Sequence, residues 1–179
     1  MVVPIPLLLL EDNEADACLL IEMLEESDEQ AWHMVRAKCL SQALAQLNQT
    51  RFDVALLDLS LPDSKGLETL VRIHTAVPDL PIVVLTELDD RQHSLQALAQ
   101  GAQDYLVKGQ ISPEVLTRVL QYAIERGRIV RQLQAEVAER KRSEQILRSL
   151  VEGTAAVTGE AFFRSLVRSC SNLFGAGPR

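Results

Sequence analysis

The stretch Val54-Ala55-Leu56-Leu57 is continuously apolar, ends in the carboxylate of Asp58, and passes at once into the turn-rich run Leu59-Ser60-Leu61-Pro62-Asp63-Ser64-Lys65-Gly66. An unbroken apolar run of this length reads as a strand covered on both faces, the condition of a central strand in a parallel sheet. Few architectures then remain open. Helices must lie on both faces, and Asp58 stands at the carboxyl edge, where open α/β sheets bind ligands. On its own, an aspartate here would read as a turn opener. How the other strands end decides between the two readings.

Four leucines at 7 to 10 predict a second buried strand, closed by Glu11-Asp12-Asn13. Alone, those acids read as the start of a helix, favoured there by capping and by the helix dipole. From Glu14 to Glu26 the spacing of Ala17, Leu20, Ile21 and Leu24 predicts an amphipathic helix, with Cys18 on or beside its packed face. Trp32 to Ala37 reads as an outer strand and Ser41 to Asn48 as a short helix. Gly66 opens a helix that stops before Pro78, and Ile82-Val83-Val84-Leu85 forms a strand ending at Thr86. Asp90 to Gln100 is predicted helical with Gly101 as its C-terminal cap. Asp104-Tyr105-Leu106-Val107 is a fifth strand ending at Lys108, and Pro113 begins a last helix. Five strand–helix alternations with right-handed crossovers predict a doubly wound α/β fold. Its five-stranded parallel sheet has the order 2-1-3-4-5.

Four of these strands end in polar chemistry: Glu11 and Asp12, Asp58, Thr86, and Lys108. Sharing one sheet edge, they bring acids, a hydroxyl and an ammonium to one crevice. Clustered carboxylates repel, so a proton must be retained or a cation must neutralise them. Oxygen-only ligands select a hard ion, and magnesium is the abundant intracellular candidate. A carboxylate beside such an ion, with a lysine and a hydroxyl opposite, has the parts needed to attack a phosphoryl group.

On these motifs, residues 7 to about 125 resemble a response-regulator receiver domain of two-component signalling, with its flavodoxin-like fold. The matching residues are Glu11-Asp12 after the first strand, Asp58 with Pro62 and Gly66 at the family's offsets, Thr86, and Tyr105 three residues before Lys108. The resemblance implies that Asp58 is the phosphoacceptor and that Asp12 and Asp58 bind Mg2+ directly. Glu11 would act mainly through a coordinated water, and the backbone carbonyl of Ser60 would complete the protein ligands. It also implies that Thr86 hydrogen-bonds the phosphoryl group, that Lys108 pairs with it, and that Tyr105 turns inward as a switch. The implied partner is a histidine kinase or phosphotransfer protein, and the domain is a phosphoacceptor rather than an enzyme. The sequence departs from the family at two positions. Glu87 stands where a small residue usually borders the acceptor, which is expected to slow phosphotransfer and hydrolysis unless its side chain turns to solvent. Gly109 replaces the proline that usually follows the lysine, leaving the next loop more pliable.

Acidic residues outnumber basic ones, 25 Asp and Glu against 18 Lys and Arg, a formal charge of -7 that argues against general nucleic-acid affinity. Cys18, Cys39 and Cys170 lack paired spacing, so neither disulfides nor zinc are suggested. The apolar run at Ile5 to Leu10 is too short for a signal peptide or a membrane span, and a cytoplasmic location without membrane association is expected. His33, His74 and His93 fit no metal or kinase motif, and no phosphate loop is visible.

The last helix is predicted to outrun a lone receiver. From Pro113 to about Glu152 only Gly127 interrupts good helix formers. A heptad stripe follows: Leu116, Val119, Ala123, Arg126, Val130, Leu133, Val137, Arg140, Glu144, Leu147 and Val151. This predicts a parallel homodimeric coiled coil, against one long solvated helix or a hairpin broken near Gly127. Basic residues between 126 and 148 are interleaved with Glu125, Glu136, Glu139 and Glu144, which favours salt-bridged coil character over DNA binding. The organisation read is a receiver at 1–125, a coiled-coil linker at 126–152, and an amphipathic helix at 153–179 entered through a hinge at Gly153 to Gly159. That helix, with Phe162, Phe163, Leu166, Val167, Cys170, Leu173 and Phe174 on one face, resembles the start of a GAF-type sensory domain. The competing functional readings are a phosphorylation-independent interaction module and a DNA-binding regulator using the basic helix.

Overall fold

The computed structural model describes residues 3–26, 31–86 and 96–174; within the last helix, side chains are described through residue 148 and again at 159, 161, 163 and 164. The elements run β1 (Ile5–Leu10), α1 (Glu14–Glu25), β2 (Trp32–Ala37), α2 (Leu40–Gln49), β3 (Val54–Asp58), α3 (Leu67–Ala76), β4 (Ile82–Thr86), a helical stretch α4 (96–99), β5 (Asp104–Val107) and α5 (Pro113–Phe174). Between β3 and α3, Ser60–Leu61 pairs antiparallel with Ser64–Lys65 in a tight hairpin. The five long strands form one parallel sheet in the predicted order β2-β1-β3-β4-β5.

Period-two alternation along the central strands sorts their side chains into two cores. Leu8, Leu10, Ala55, Leu57, Ile82 and Val84 face one side, packed with Leu40 of α2, Leu70 and Ile73 of α3, and Ala97 of α4. Leu7, Leu9, Val54, Leu56, Val83 and Leu85 face the other, packed with Leu20 and Leu24 of α1 and with Leu116 and Leu120 of α5. Covered on both faces, Val54 through Leu57 are fully buried, as their unbroken apolar run requires. Each buried leucine contributes about 1.5–3 kcal/mol. The four of β1 help offset the burial of Glu11, which directly follows the strand. The register Leu10↔Leu57, Asp58↔Leu85 and Thr86↔Val107 brings the ends of β1, β3, β4 and β5 to one edge.

The chain divides into two compact units, Met1–Arg131 and Gln132–Arg179. In the first, the buried face of α5 is wider than the predicted stripe: Leu120 and Ile124 join Leu116 and Ala123 in the core. Packing against a sheet takes a broader face than a two-stranded seam does. Gly127 continues this face without ending the helix. A Cβ placed there would meet Pro81 Cγ at 2.5 Å, so glycine lets α5 approach the start of β4. Gly127→Ala is therefore expected to lower stability by about 1–2 kcal/mol despite alanine's better helix propensity, because the proline ring cannot move aside. A fall in the urea midpoint measures it. A rise would show that the helix yields there at little cost.

Two expectations are corrected. Cys18 is exposed, because its position on α1 lies about a third of a turn from Ala17 and off the arc centred on Leu20 and Leu24. The hinge expected at Gly153 to Gly159 is helical, within the continuous Pro113–Phe174. The segment holds no proline, and two glycines at about 1 kcal/mol each do not break a helix of this length. Residues 87–95 lie outside the described residues, and with them Glu87, His93 and most of the helix expected from Asp90. What is described there fits, since 96–99 is helical and Ala102 N donates to Ala97 O at 3.0 Å past Gly101. Of the apolar face expected after residue 160, only Phe163 is described, and it is 71% exposed.

Candidate functional site

Glu11 and Asp12 follow β1 directly and precede α1. Asn13 caps that helix, its Oδ1 accepting from Ala15 N at 2.9 Å. The acids are thus free of capping duty. Arg36, at the end of β2, holds their loop: its Nε donates to Glu11 O at 2.9 Å and its second terminal nitrogen to Asp12 O at 3.0 Å. The other terminal nitrogen pairs with Glu14 at 2.8 Å. Asp58 ends β3 with Oδ1 accepting from Ser60 N at 3.1 Å. Ligand oxygens of Glu11, Asp12 and Asp58 lie within 4.8 Å of one another, the first and last buried and Asp12 exposed.

Lys108 arrives from the end of β5, where its N–H donates to Thr86 O at 2.8 Å. Its Nζ meets Asp58 Oδ2 at 2.8 Å, Glu11 Oε2 at 2.9 Å and Asp16 Oδ2 at 3.0 Å. Burial opposes the charge on this ammonium, but the hydrogen bonds to Asp58, Glu11 and Asp16 outweigh it and hold Lys108 protonated beyond the ordinary lysine range. The pKa of Glu11 is raised as well, which for a carboxyl favours the neutral form. Burial raises its pKa, Lys108 pulls it back, and the charge of Asp58 adds to the rise. One ammonium thus meets three carboxylates, Glu11, Asp58 and Asp16, with Asp12 beside them, and the negative surplus with an all-oxygen donor set suits a hard divalent cation. Asp12, Asp58, Ser60, Pro62 and Thr86 line a cleft of about 470 Å³, ample for a phosphoryl group.

The predicted site residues do not all meet. Glu11, Asp12, Asp58 and Lys108 converge, with Ser60 and Thr86 at the cleft. Thr86 is buried, its Oγ1 3.5 Å from Leu106 O. Tyr105, on the edge strand β5, is partly buried against the core on the face of the sheet that holds Ile82, Val84 and Ala97. Gly109 adopts φ +81°, a left-handed conformation closed to proline, so the proline of the family pattern would not fit this loop.

Three residues escaped the sequence reading: Asp16, Arg36 and Asp63. The carboxylate of Asp63, in the hairpin after Asp58, accepts from Leu40 N at 2.8 Å and Ser41 N at 2.9 Å. It caps α2, whose own preceding residue, Cys39, makes no side-chain cap. The Ser41 and Leu40 N–H groups hold its carboxyl below the usual range. A folded-state pKa below the unfolded one means stabilisation that is complete above the unfolded value, about 3.9, and lost as pH falls through the folded value. Asp63→Asn keeps one acceptor of two and is expected to melt a few degrees lower near neutral pH. The gap should close under acid; one that stays constant down to pH 2 would assign the loss to packing.

A family model described as response regulator receiver domain matches residues 7–121. The chain is 33% identical over 113 residues to the swarming motility regulation protein RssB of Serratia marcescens, covering 63% of this chain and 50% of that protein. It is 35% identical over 113 residues to the transcriptional regulatory protein PhoP of Escherichia coli K12, covering 63% and 49%. This chain spans about half the length of these curated relatives. Among solved structures, the receiver domain of NtrX from Brucella abortus aligns with a TM-score of 0.60 at 25% identity, covering 66% of this chain and 98% of that one. A receiver domain protein from Methanospirillum hungatei aligns at 0.61 and 23%, covering 70% and 98%, a likeness of fold. Among the described residues, no helix is long and apolar enough to cross a membrane.

Proposed function

The chain belongs to the response regulator receiver domain family, and from that premise we propose that Asp58 accepts a phosphoryl group from the phosphohistidine of a partner histidine kinase or phosphotransfer protein. Receiver domains are phosphoacceptor signalling modules rather than catalytic enzymes, and the family implies the kinase partner. The observation that carries the assignment is Lys108 bridging buried Asp58 and Glu11 beside Asp12 in an open cleft.

Asp12 and Asp58 would hold Mg2+ directly, Glu11 through water, and the Ser60 carbonyl would complete the protein ligands. The ion, when bound, supplies neutralisation of the phosphoryl oxygens. A carboxylate oxygen of Asp58 attacks phosphorus, the P–N bond breaks as the P–O bond forms, and the imidazole leaves with the electron pair and takes up a proton. Lys108 exchanges its carboxylate partner for a phosphoryl oxygen, the Thr86 hydroxyl donates to another, and Tyr105 follows inward.

The output runs through α5. Val130, Leu133, Val137 and Leu147 recur at heptad spacing and are each about half exposed or more, which supports a parallel homodimeric coil. The proposed organisation is a receiver at 1–125, a linker at 126–152, and a terminal amphipathic helix at 153–179 that opens a sensory domain of GAF type. DNA is not a proposed partner. Acids are interleaved with the basic residues of this helix and pair with two of them, Arg128 with Glu125 at 4.0 Å and Arg140 with Glu144 at 3.2 Å.

Acetyl phosphate with Mg2+ is expected to add one phosphoryl group, read as an intact-mass gain that hydroxylamine removes. No gain from any phosphodonor would favour a phosphorylation-independent interaction module. Sedimentation should give a dimer that becomes a monomer when the chain is cut after Arg128. A monomer before the cut would end the coiled-coil proposal.

A further inference from the structure

Lys108 Nζ lies within 3.0 Å of three carboxylates: it donates to Asp58 and Asp16 and forms an ion pair with Glu11. Two of these acids belong to the cluster that suits a divalent ion. The third does not. Asp16 stands in the first turn of α1, its side chain 39% exposed, and its contact with Lys108 spans 92 residues. We propose that Asp16 is a positioning residue that shares the charge of Lys108 and so keeps this lysine from neutralising the carboxylates that hold the cation. The inference rests on the reading of the acidic pocket as a Mg2+ site.

Lys108 and a divalent ion compete for the same carboxylates. An ammonium 2.8–2.9 Å from Asp58 and Glu11 occupies lone pairs and cancels charge that a divalent ion needs. With Asp16 present, part of the lysine's interaction is directed to α1, away from the ion. Without it, the ammonium settles wholly on Glu11 and Asp58, and the ion must displace it from both. Asp16 also keeps Lys108 anchored at the pocket rim once the ion has taken its other partners, so the lysine stays placed for an incoming phosphoryl oxygen.

The test is Mg2+ binding by calorimetry on the full chain, with no phosphodonor present. Asp16→Asn is expected to raise the Mg2+ Kd about 3- to 10-fold, and Asp16→Glu, which restores a carboxylate within reach, to recover most of the loss. In a Lys108→Met background the same Asp16→Asn change should shift Kd by no more than about twofold. An unchanged Kd in Asp16→Asn overturns the proposal. So does an equal weakening with and without Lys108, which would make Asp16 a bare charge acting through space. Should Lys108→Met fail to fold, failure of Asp16→Glu to recover affinity overturns it instead. If the unsubstituted chain binds no Mg2+, or binding survives Asp58→Asn together with Asp12→Asn unchanged, the reading of the pocket itself has failed.

Discussion

Asp58→Asn takes up no phosphoryl group from acetyl phosphate and Mg2+ under conditions that label the unsubstituted chain to completion. The expectation follows from what each neighbouring acid is already doing. Glu11 is fully buried, with Oε1 accepting from Asn13 N at 3.1 Å and Oε2 on Lys108, so neither oxygen has an approach to an incoming donor. Asp12 reaches the cleft, but its backbone is tied to Arg36. An amide oxygen at position 58 carries too little charge to attack phosphorus. The fold should survive, because that oxygen can still accept from Ser60 N, and Lys108 keeps Glu11 and Asp16. A melting curve close to the parent's would show the loss to be chemical. Label persisting in Asp58→Asn, and mapping to Asp12 or elsewhere, would remove Asp58 from its proposed role.

How much of this was legible in the sequence depends on the range of the interaction that sets each feature. The central strand and the carboxyl-edge positions of Asp58, Thr86 and Lys108 follow from apolar runs of strand length and from crossover handedness, both local or topological. They were read correctly, as was the sheet order. Arg36 and Asp63 were not, because their partners lie 22 to 25 residues away, in the loop after β1 and at the start of α2, and only the folded sheet brings them close. Asp16 sat in plain view as a first-turn acid of α1, a position the helix dipole explains without a site. Its reach to Lys108 depends on how α1 lies beside β5. Gly127 was read as a flaw in a helix because propensity is local, whereas its reason, Pro81, is contributed by a different element. Composition misled in one place: a run of small residues with two glycines resembled a hinge, but nothing in it forbids helical backbone.

Lys108→Met is the second large change, and it separates stability from cation binding. Removing the ammonium leaves Glu11, Asp58 and Asp16 without their shared counter-charge, two of them buried. Taking one partner from a buried ion pair costs about 3–5 kcal/mol. Here the cost should be nearer 2–3 kcal/mol, because Glu11, already inclined by burial to keep its proton, can neutralise itself. In the presence of EDTA the variant is therefore expected to melt well below the parent. Mg2+ should then stabilise it more than it stabilises the parent, since the ion no longer competes with a resident ammonium and stabilisation grows with the ratio of free ion to Kd. Phosphoryl uptake should nevertheless fall at least about 100-fold, as the charge that meets the phosphoryl oxygens is gone. The three measurements must move together: lower stability without the ion, a larger gain with it, and slower chemistry. A variant whose Mg2+-induced rise in melting temperature is equal to or smaller than the parent's would mean that Lys108 does not compete for the acids that hold the ion. The electrostatic account of the pocket would then fail, whatever happened to the rate.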